Sequence, residues 1–157
     1  MAVEKQAKDI QAKDWQLTIN NPEDHGWSQE KLIEALQLLN PEYFCMARER
    51  AETGTEHIHI YLKRKSALRF STLKNKFPTA HIEKELGSAW QNREYITKTG
   101  KWAESNKSET TIEGSFYEWG EIPVKDTKAN DHMWEIIHLI KEEKKWKIAI
   151  ASCNSIK

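Results

Sequence analysis

Two histidines, His57 and His59, stand two residues apart in the segment HIHIYL (57–62). Ile58 and Ile60 alternate with them, as expected of a strand with one buried face. Successive side chains of a strand point to opposite faces, so the two imidazoles would project together from the other face. Two imidazoles this close could bind one metal ion. The H-x-H pattern also occurs by chance in exposed strands, so a solvated face is the competing interpretation.

A third ligand is predicted from the strand before the histidines. Residues 42–50 and 57–65 read as two strands joined by the turn AETGTE, which predicts a hairpin. If Arg50 pairs with Glu56, Glu49 lies directly opposite His57, with Cβ atoms ~5 Å apart. A slip of one residue would place Glu49 on the core side. The sequence therefore predicts a metal site of Glu49, His57 and His59, with His81 and Glu83 as reserve candidates.

Two imidazoles and a carboxylate, without a thiolate, suit Mn²⁺ or Mg²⁺ in an enzyme that acts on nucleic acid. The same donors would also bind Zn²⁺ or Co²⁺.

A tyrosine and a lysine could supply chemistry on a predicted helix, residues 88–100. Gln91, Tyr95 and Lys98 follow one another at positions i, i+4 and i+7, so they share one stripe of the helix surface. The phenol could attack a phosphodiester while the ammonium orients a phosphate or offsets developing charge. In an arbitrary helix the phenol would merely pack at the rim. The combination of H-x-H strand, facing glutamate and Y-x-x-K helix favours catalysis.

The net charge is zero, yet it is unevenly distributed along the chain. Residues 57–102 carry 10 Lys and Arg against 3 Asp and Glu, whereas residues 1–56 carry 6 against 11. A polyanion would bind to the basic middle third, although charge clusters also arise on ordinary solvated faces.

The pattern of elements predicts an α+β protein. The first six elements follow the order of a ferredoxin-like split βαβ (RRM-like) fold, which gives an antiparallel sheet with helices on one face. The other face would be left free to bind a ligand. The predicted strands are 14–22, 42–50, 57–65, 79–86 and an edge strand in 115–122; the predicted helices are 28–39, 68–77 and 88–100; residues 102–114 are predicted as loop.

Several classes of protein are disfavoured by the sequence. No apolar run approaches the ~20 residues of a membrane span, and residues 1–13 form a polar tail unlike a secretory signal. Cys45 and Cys153 form neither a disulfide framework nor a metal spacing, which indicates a reducing, intracellular compartment. Without a G-x-x-x-x-G-K-[ST] run, we expect no nucleotide in a P-loop.

The motifs together resemble the HUH endonuclease domain of rolling-circle replication initiators (Rep) of circovirus-like replicons. LTINNP (17–22), HIHIYL (57–62) and YITK (95–98) look like the three Rep motifs, in order and spacing. YFCMARE (43–49) resembles the strand whose final glutamate is the family's third metal ligand. Circovirus-like members often have glutamine at the second position of the histidine pair, where this chain has His59.

The resemblance implies an HUH fold over residues 14–120 and a nicking and joining reaction in which Tyr95 becomes bonded to a 5′ phosphate. By the same resemblance, Lys98 would be the second catalytic residue, and Glu49, His57 and His59 would hold Mn²⁺ or Mg²⁺. The partner is single-stranded DNA at an origin stem-loop. The residues expected to contact that DNA are Gln16, Thr18, Asn20, Asn21, Lys63, Lys65, Arg69, Lys74 and Gln91.

Beyond residue 120 the resemblance implies a linker (121–130) and then the start of an oligomerisation segment (131–157), through which the chain could self-associate. A helicase domain follows in relatives, and we expect it to be absent from this chain. Localisation would be the host nucleus for a eukaryotic virus and the cytoplasm for a bacterial replicon.

Two alternatives remain open from the sequence. An RRM-like module could bind single strands on its sheet face without cutting them, using aromatic stacking platforms. A metal-dependent hydrolase could cleave with water, with Tyr95 in a structural role only.

Overall fold

The computed structural model describes residues 9–103, 109–123 and 136–144 of the 157-residue chain. The predicted fold class, α+β with an antiparallel sheet, is confirmed. The strands are β1 (Gln11–Asn20), β2 (Tyr43–Ala51), β3 (Glu56–Arg69), β4 (His81–Lys84), β5 (Glu109–Thr111) and β6 (Tyr117–Gly120). The helices are α1 (Gln29–Gln37), α2 (Phe70–Lys76) and α3 (Ala89–Thr97), with 3₁₀ turns at Pro22–His25 and Gly100–Trp102.

The central strands follow the order β4-β1-β3-β2, which is the ferredoxin-like arrangement. β5 and β6 both pair antiparallel with β2, on the side away from β3. β6 confirms the predicted edge strand. The prediction of loop throughout 102–114 is wrong at β5, because these three residues pair with the end of β2 at Glu49, Arg50 and Ala51.

The main core lies between the sheet and helices α1 and α2. Leu17 and Ile19 of β1 and Ile58 and Ile60 of β3 are fully buried on this face. Burying each such side chain contributes ~1.5–3 kcal/mol before entropy is counted. α1 begins at Ser28, whose hydroxyl accepts a hydrogen bond from the Lys31 amide, and its leucines close the core.

The third helix corrects one detail of the prediction. α1 and α2 lie on one face, as expected, but α3 packs on the opposite face, against β2 and β3. That face was expected to stay free. The physical reason is that the β2–β3 half carries apolar surface, Cys45, Ala47 and Tyr61, which Ile96 and Tyr95 bury. α3 also follows β4, so no split βαβ crossover fixes it to the first face.

The β2–β3 hairpin has the predicted register. Arg50 pairs with Glu56, and Glu49 pairs with His57. The turn includes Gly54 at φ 87°, a conformation that side chains with a Cβ rarely adopt, and an ion pair joins Arg50 to Glu56. The turn and the ion pair hold the register that the candidate site requires.

Residues 136–144 are helical and pack beside α3. The rest of the predicted oligomerisation segment, most of the predicted linker, and residues 1–8 of the polar tail lie outside the described residues. Within the described ranges, no helix combines the length and apolar character needed to cross a membrane.

Candidate active site

Glu49, His57 and His59 come together on the face of the sheet that α3 covers. The two imidazole Nε2 atoms are 3.1 Å apart, and they lie 3.3 and 3.5 Å from Glu49 Oε2. All three side chains are buried, with 0%, 6% and 7% of their surface exposed. The structure thus brings together the three residues predicted as metal ligands.

The spacing of these atoms suits one metal ion. Ligands held ~2.1 Å from a common ion, at angles of ~90° to ~110°, lie ~3.0 to ~3.4 Å from one another. Glu49 Oε2 is the carboxylate oxygen that faces both imidazoles, so it could share one ion with them. Across the described ranges these three residues form the one cluster whose donor atoms could hold a metal ion.

The protonation states also favour metal binding. Burial lowers the pKa of His59, so its imidazole is neutral near pH 7. Burial opposes ionisation of Glu49, but hydrogen bonds from His57 and His59 outweigh it and hold the pKa of Glu49 below its usual range. A neutral imidazole and an ionised carboxylate are the forms that bind metal ions.

Thr18 orients one of the imidazoles. It is the cross-strand partner of His59, and its hydroxyl lies 3.1 Å from His59 Nδ1. If Nε2 of His59 ligates a metal, Nδ1 carries the proton, and this N–H donates a hydrogen bond to the Thr18 hydroxyl. The sequence placed Thr18 among DNA contacts; its position beside His59 could have been found only with the β1–β3 register in hand.

Tyr95 lies beside the imidazoles on the same face. Its ring centroid is 5.9 Å from that of His59, in an edge-to-face arrangement, and its surface is 5% exposed. α3 holds it there because Ser88 and Gln91 form a capping box that fixes the start of the helix. The structure therefore places the predicted nucleophile next to the predicted metal ligands.

Lys98 lies between Tyr95, the predicted nucleophile, and the Glu49 carboxylate. Its Nζ is 2.7 Å from Glu49 Oε1 and 4.0 Å from the centroid of the Tyr95 ring. The residue caps α3 in the left-handed conformation at φ 54°, which costs a non-glycine residue ~1 kcal/mol. This turn of the backbone places the ammonium at the site, where it offsets the charge of a buried carboxylate.

Two residues at the site were missed by the sequence analysis. Trp102 packs edge-to-face against Tyr95 at 5.2 Å, and His138, from the helical residues 136–144, lies 5.2 Å from the same ring. Trp102 closely follows the Y-x-x-K motif, and its large apolar side chain could have indicated a buried position near Tyr95. His138 carried no signal, because only the folded chain brings it to Tyr95.

Some predicted DNA contacts lie near the site. Gln16, Thr18 and Asn20 occupy alternate positions of β1, and Asn20 is the cross-strand partner of His57. Asn21 is exposed and begins the following 3₁₀ turn in a left-handed conformation. Gln91 accepts a hydrogen bond from the Ser88 amide within the capping box.

The predicted basic contacts are more widely spread. Lys63 lies four residues beyond His59 on β3, ~13 Å away, and pairs with Asp14 at 2.9 Å. Lys65 and Arg69 are exposed further along the same strand. Lys74 lies on α2, across the sheet from the imidazoles, and donates to the Ala80 carbonyl at 2.7 Å.

Other candidate groups contribute little to this site. The reserve pair of His81 and Glu83 lies on β4, at the edge of the sheet away from β6, and forms its own contact at 3.1 Å, with the imidazole largely exposed. Burial raises the pKa of the Cys45 thiol to about 12, so it stays protonated and unreactive near neutral pH.

Comparison with known proteins identifies a family that matches the part of the chain containing the candidate site. The family described as "Putative viral replication protein" matches residues 12–99, which is more than half of the chain and includes all of the site residues named from β1 to α3.

Individual relatives carry related names. The chain is 38% identical over 89 residues to the replication-associated protein of beak and feather disease virus, covering 55% of this chain and 29% of that protein. It is 28% identical over 131 residues to the master replication protein of banana bunchy top virus, and this match covers 83% of this chain and 38% of that protein. It is 31% identical over 99 residues to the replication-associated protein of pigeon circovirus, and this match covers 63% of this chain and 30% of that protein. The chain thus spans well under half the length of these relatives.

Proposed function

Because this chain belongs to the viral replication protein family, we propose that it is a replication-initiator endonuclease that nicks and rejoins single-stranded origin DNA through Tyr95. The reaction would belong to rolling-circle replication and pass through a covalent 5′-phosphotyrosine.

One observation carries the proposal: a phenol, an ammonium and three metal-ligating side chains meet on one face of the sheet. Tyr95 lies against His59, and Lys98 reaches both the phenol ring and Glu49. A structural tyrosine would not require such neighbours, whereas an attacking phenol needs charge stabilisation close by.

The cofactor we propose is Mn²⁺ or Mg²⁺, held by Glu49, His57 and His59. When bound, such an ion would polarise the scissile phosphate and stabilise the charge on its oxygens. Three protein ligands would leave coordination positions for a phosphate oxygen and water.

The chain's own residues then carry the transfer. The phenolic proton of Tyr95 passes to solvent water, and the phenolic oxygen bonds to phosphorus as the bond from phosphorus to the 3′ oxygen breaks. The leaving 3′ oxygen takes up a proton and becomes a hydroxyl. Lys98 offsets negative charge on the phenolate or the phosphate. A later 3′ hydroxyl attacks the phosphotyrosine and restores the DNA bond, so no nucleotide hydrolysis is needed.

The partners follow from this role. Single-stranded DNA in an origin stem-loop is the proposed substrate, with Gln16, Thr18 and Asn20 nearest the site. We also propose that the chain self-associates through residues 131–157. The proposed place of action is the host cell, in the nucleus for a virus of eukaryotes.

A denaturing gel tests the function. Mixed with Mn²⁺ and a single-stranded oligonucleotide that contains an origin-like nonanucleotide, the protein should form a slower-migrating band that survives denaturation. Tyr95→Phe should abolish the band and His57→Ala should reduce its rate of formation by about 100-fold or more, since metal-ion stabilisation is worth several kcal/mol.

Other outcomes point to the alternatives. DNA binding without any adduct would favour an RRM-like module, and cleavage that persists in Tyr95→Phe would favour water as nucleophile. Tyr61→Phe is a matched control, because Tyr61 lies on the same face and its hydroxyl donates to Asp14 at 2.7 Å, away from the imidazoles. It should leave adduct formation unchanged.

A further inference from the structure

The helical segment of residues 136–144, here called the strap, covers part of the site. His138 is buried, with 6% of its surface exposed, and it contacts the Tyr95 ring at 5.2 Å and the Trp102 ring at 6.4 Å. None of the proposed chemistry uses this histidine. Its contacts nevertheless form one wall of the space around the phenol.

The strap is also attached to the edge of the sheet. Lys141 Nζ lies 2.9 Å from Glu83 Oε2 on β4, and Glu83 is the cross-strand partner of Gln16 on β1. His138 and Lys141 are three residues apart, so they face the same side of the helix. The strap therefore reaches from α3 to β4, across the part of the face that α3 leaves uncovered.

Access to the phenol is limited in this arrangement. Tyr95 is 5% exposed, and its neighbours include His59, Trp102, Lys98 and His138. A phosphodiester within a strand brings bulky nucleotides on both sides, and it must come within bonding distance of the phenol oxygen. At least one of these walls must move before the attack that we propose.

The strap is the wall best able to move. His59 lies in the centre of the sheet, and Lys98 and Trp102 follow directly on α3. The strap's outward side is apolar and exposed, with Ile136 at 50%, Leu139 at 60% and Ile140 at 47%. Because so much of its apolar surface is left in water, its docking is shallow, and shallowly docked segments open at low free-energy cost.

We propose that the strap is an autoinhibitory cover that holds Tyr95 closed until single-stranded DNA displaces it. This inference rests on the proposed nicking function. DNA and strap compete for the same part of the sheet face, so the apparent affinity for DNA is reduced by the fraction of molecules in which the strap is closed.

Charge reversal at the strap's attachment tests this. Lys141→Glu places two carboxylates together and should open the strap, raising the rate of Tyr95 adduct formation by roughly two- to fivefold, the range expected for loss of a partly exposed ion pair. Lys144→Glu is the matched control, since it makes the same charge change at an exposed position of the same helix. It should not raise the rate.

Whether Lys141→Glu raises or lowers the rate of adduct formation distinguishes an autoinhibitory strap from a lysine that only attracts DNA. If Lys141 served only to attract DNA, its reversal would slow the reaction, and that result would overturn the proposal. The double variant Lys141→Glu with Glu83→Lys restores the ion pair and the net charge, so its rate should return to that of the unmodified chain. A double variant as fast as Lys141→Glu would also overturn it.

A measurement without DNA tests the autoinhibitory strap independently of the proposed nicking function. Amide hydrogen exchange of the free protein in α3 and at 136–144 should be faster in Lys141→Glu than in Lys144→Glu. Faster exchange with no adduct in any variant would leave the cover standing and reject the nicking function. Adducts at equal rates, with equal exchange, would reject the cover and leave the function standing.

Discussion

At the scale of single residues, the candidate site depends on opposing tendencies of buried groups. Burying Glu49 would normally favour its neutral form, but two imidazoles and Lys98 compensate, and the pKa of the carboxyl falls. Burial also lowers the pKa of His59. Glu49 and His59 are therefore in the forms that bind metal ions near neutral pH, and Lys98 supplies positive charge beside the carboxylate.

Thr18 offers a test of how the ligands are oriented. Thr18→Val keeps the shape of the side chain but removes the hydroxyl that pairs with His59 Nδ1. Partners of this kind typically contribute 10- to 100-fold to metal affinity, so the dissociation constant for Mn²⁺, measured by titration calorimetry, should rise by about tenfold.

Thr18→Ser is the control for that prediction, because it retains the hydroxyl and should bind Mn²⁺ nearly as well as the unmodified chain. Equal affinities for the valine and serine variants would show that the hydroxyl does not orient the ligand, and Thr18 would then return to the set of DNA contacts.

At the scale of elements, α3 determines whether the phenol meets the imidazoles. Its start is fixed by the capping box of Ser88 and Gln91, and its end by Lys98 in the left-handed conformation. Between these caps the buried residues include Asn92 and Tyr95 as well as Ala89 and Ile96, so the buried stripe is only partly apolar. The two caps and the burial of Tyr95 therefore help to fix the position of α3 on the sheet.

Removing the N-cap should destabilise α3 measurably. Ser88→Ala leaves helix amides unpaired and should cost about 1 kcal/mol, which lowers the melting temperature by about 4 °C. Amide exchange within α3 should quicken at the same time.

Ser28→Ala is the matched control, since Ser28 caps α1 on the opposite face of the sheet. It should lower the melting temperature comparably and quicken exchange in α1 while leaving α3 unchanged. A Ser88→Ala variant that melts like the unmodified chain would mean that packing alone holds α3 in place.

At the scale of the whole molecule, the sequence was sufficient for the parts governed by local rules. Alternation along β1 and β3 predicted which side chains face the core under α1 and α2. The register that places Glu49 opposite His57 was assumed from the turn AETGTE and a pairing of Arg50 with Glu56, and the structure has that pairing. The predicted order of strands and helices gave the split βαβ core for the same reason.

The remaining features depend on packing that local patterns do not encode. The partly apolar stripe of α3 gave no indication of which face of the sheet it would choose. His138 reaches Tyr95 from 43 positions further along the chain, through contacts that no sequence spacing predicts. Lys98 was expected to face a phosphate, yet only the left-handed cap shows that it also reaches Glu49.

The most direct test of the account is to find where DNA becomes attached. After reaction with Mn²⁺ and origin-like single-stranded DNA, nuclease and trypsin digestion should leave a nucleotide on the peptide of residues 94–98, EYITK, detectable by mass spectrometry. The chain has 4 tyrosines, and the others are Tyr43, Tyr61 and Tyr117. A nucleotide found on any of those three, or cleaved DNA with no modified peptide, would contradict the assignment of Tyr95 as the nucleophile.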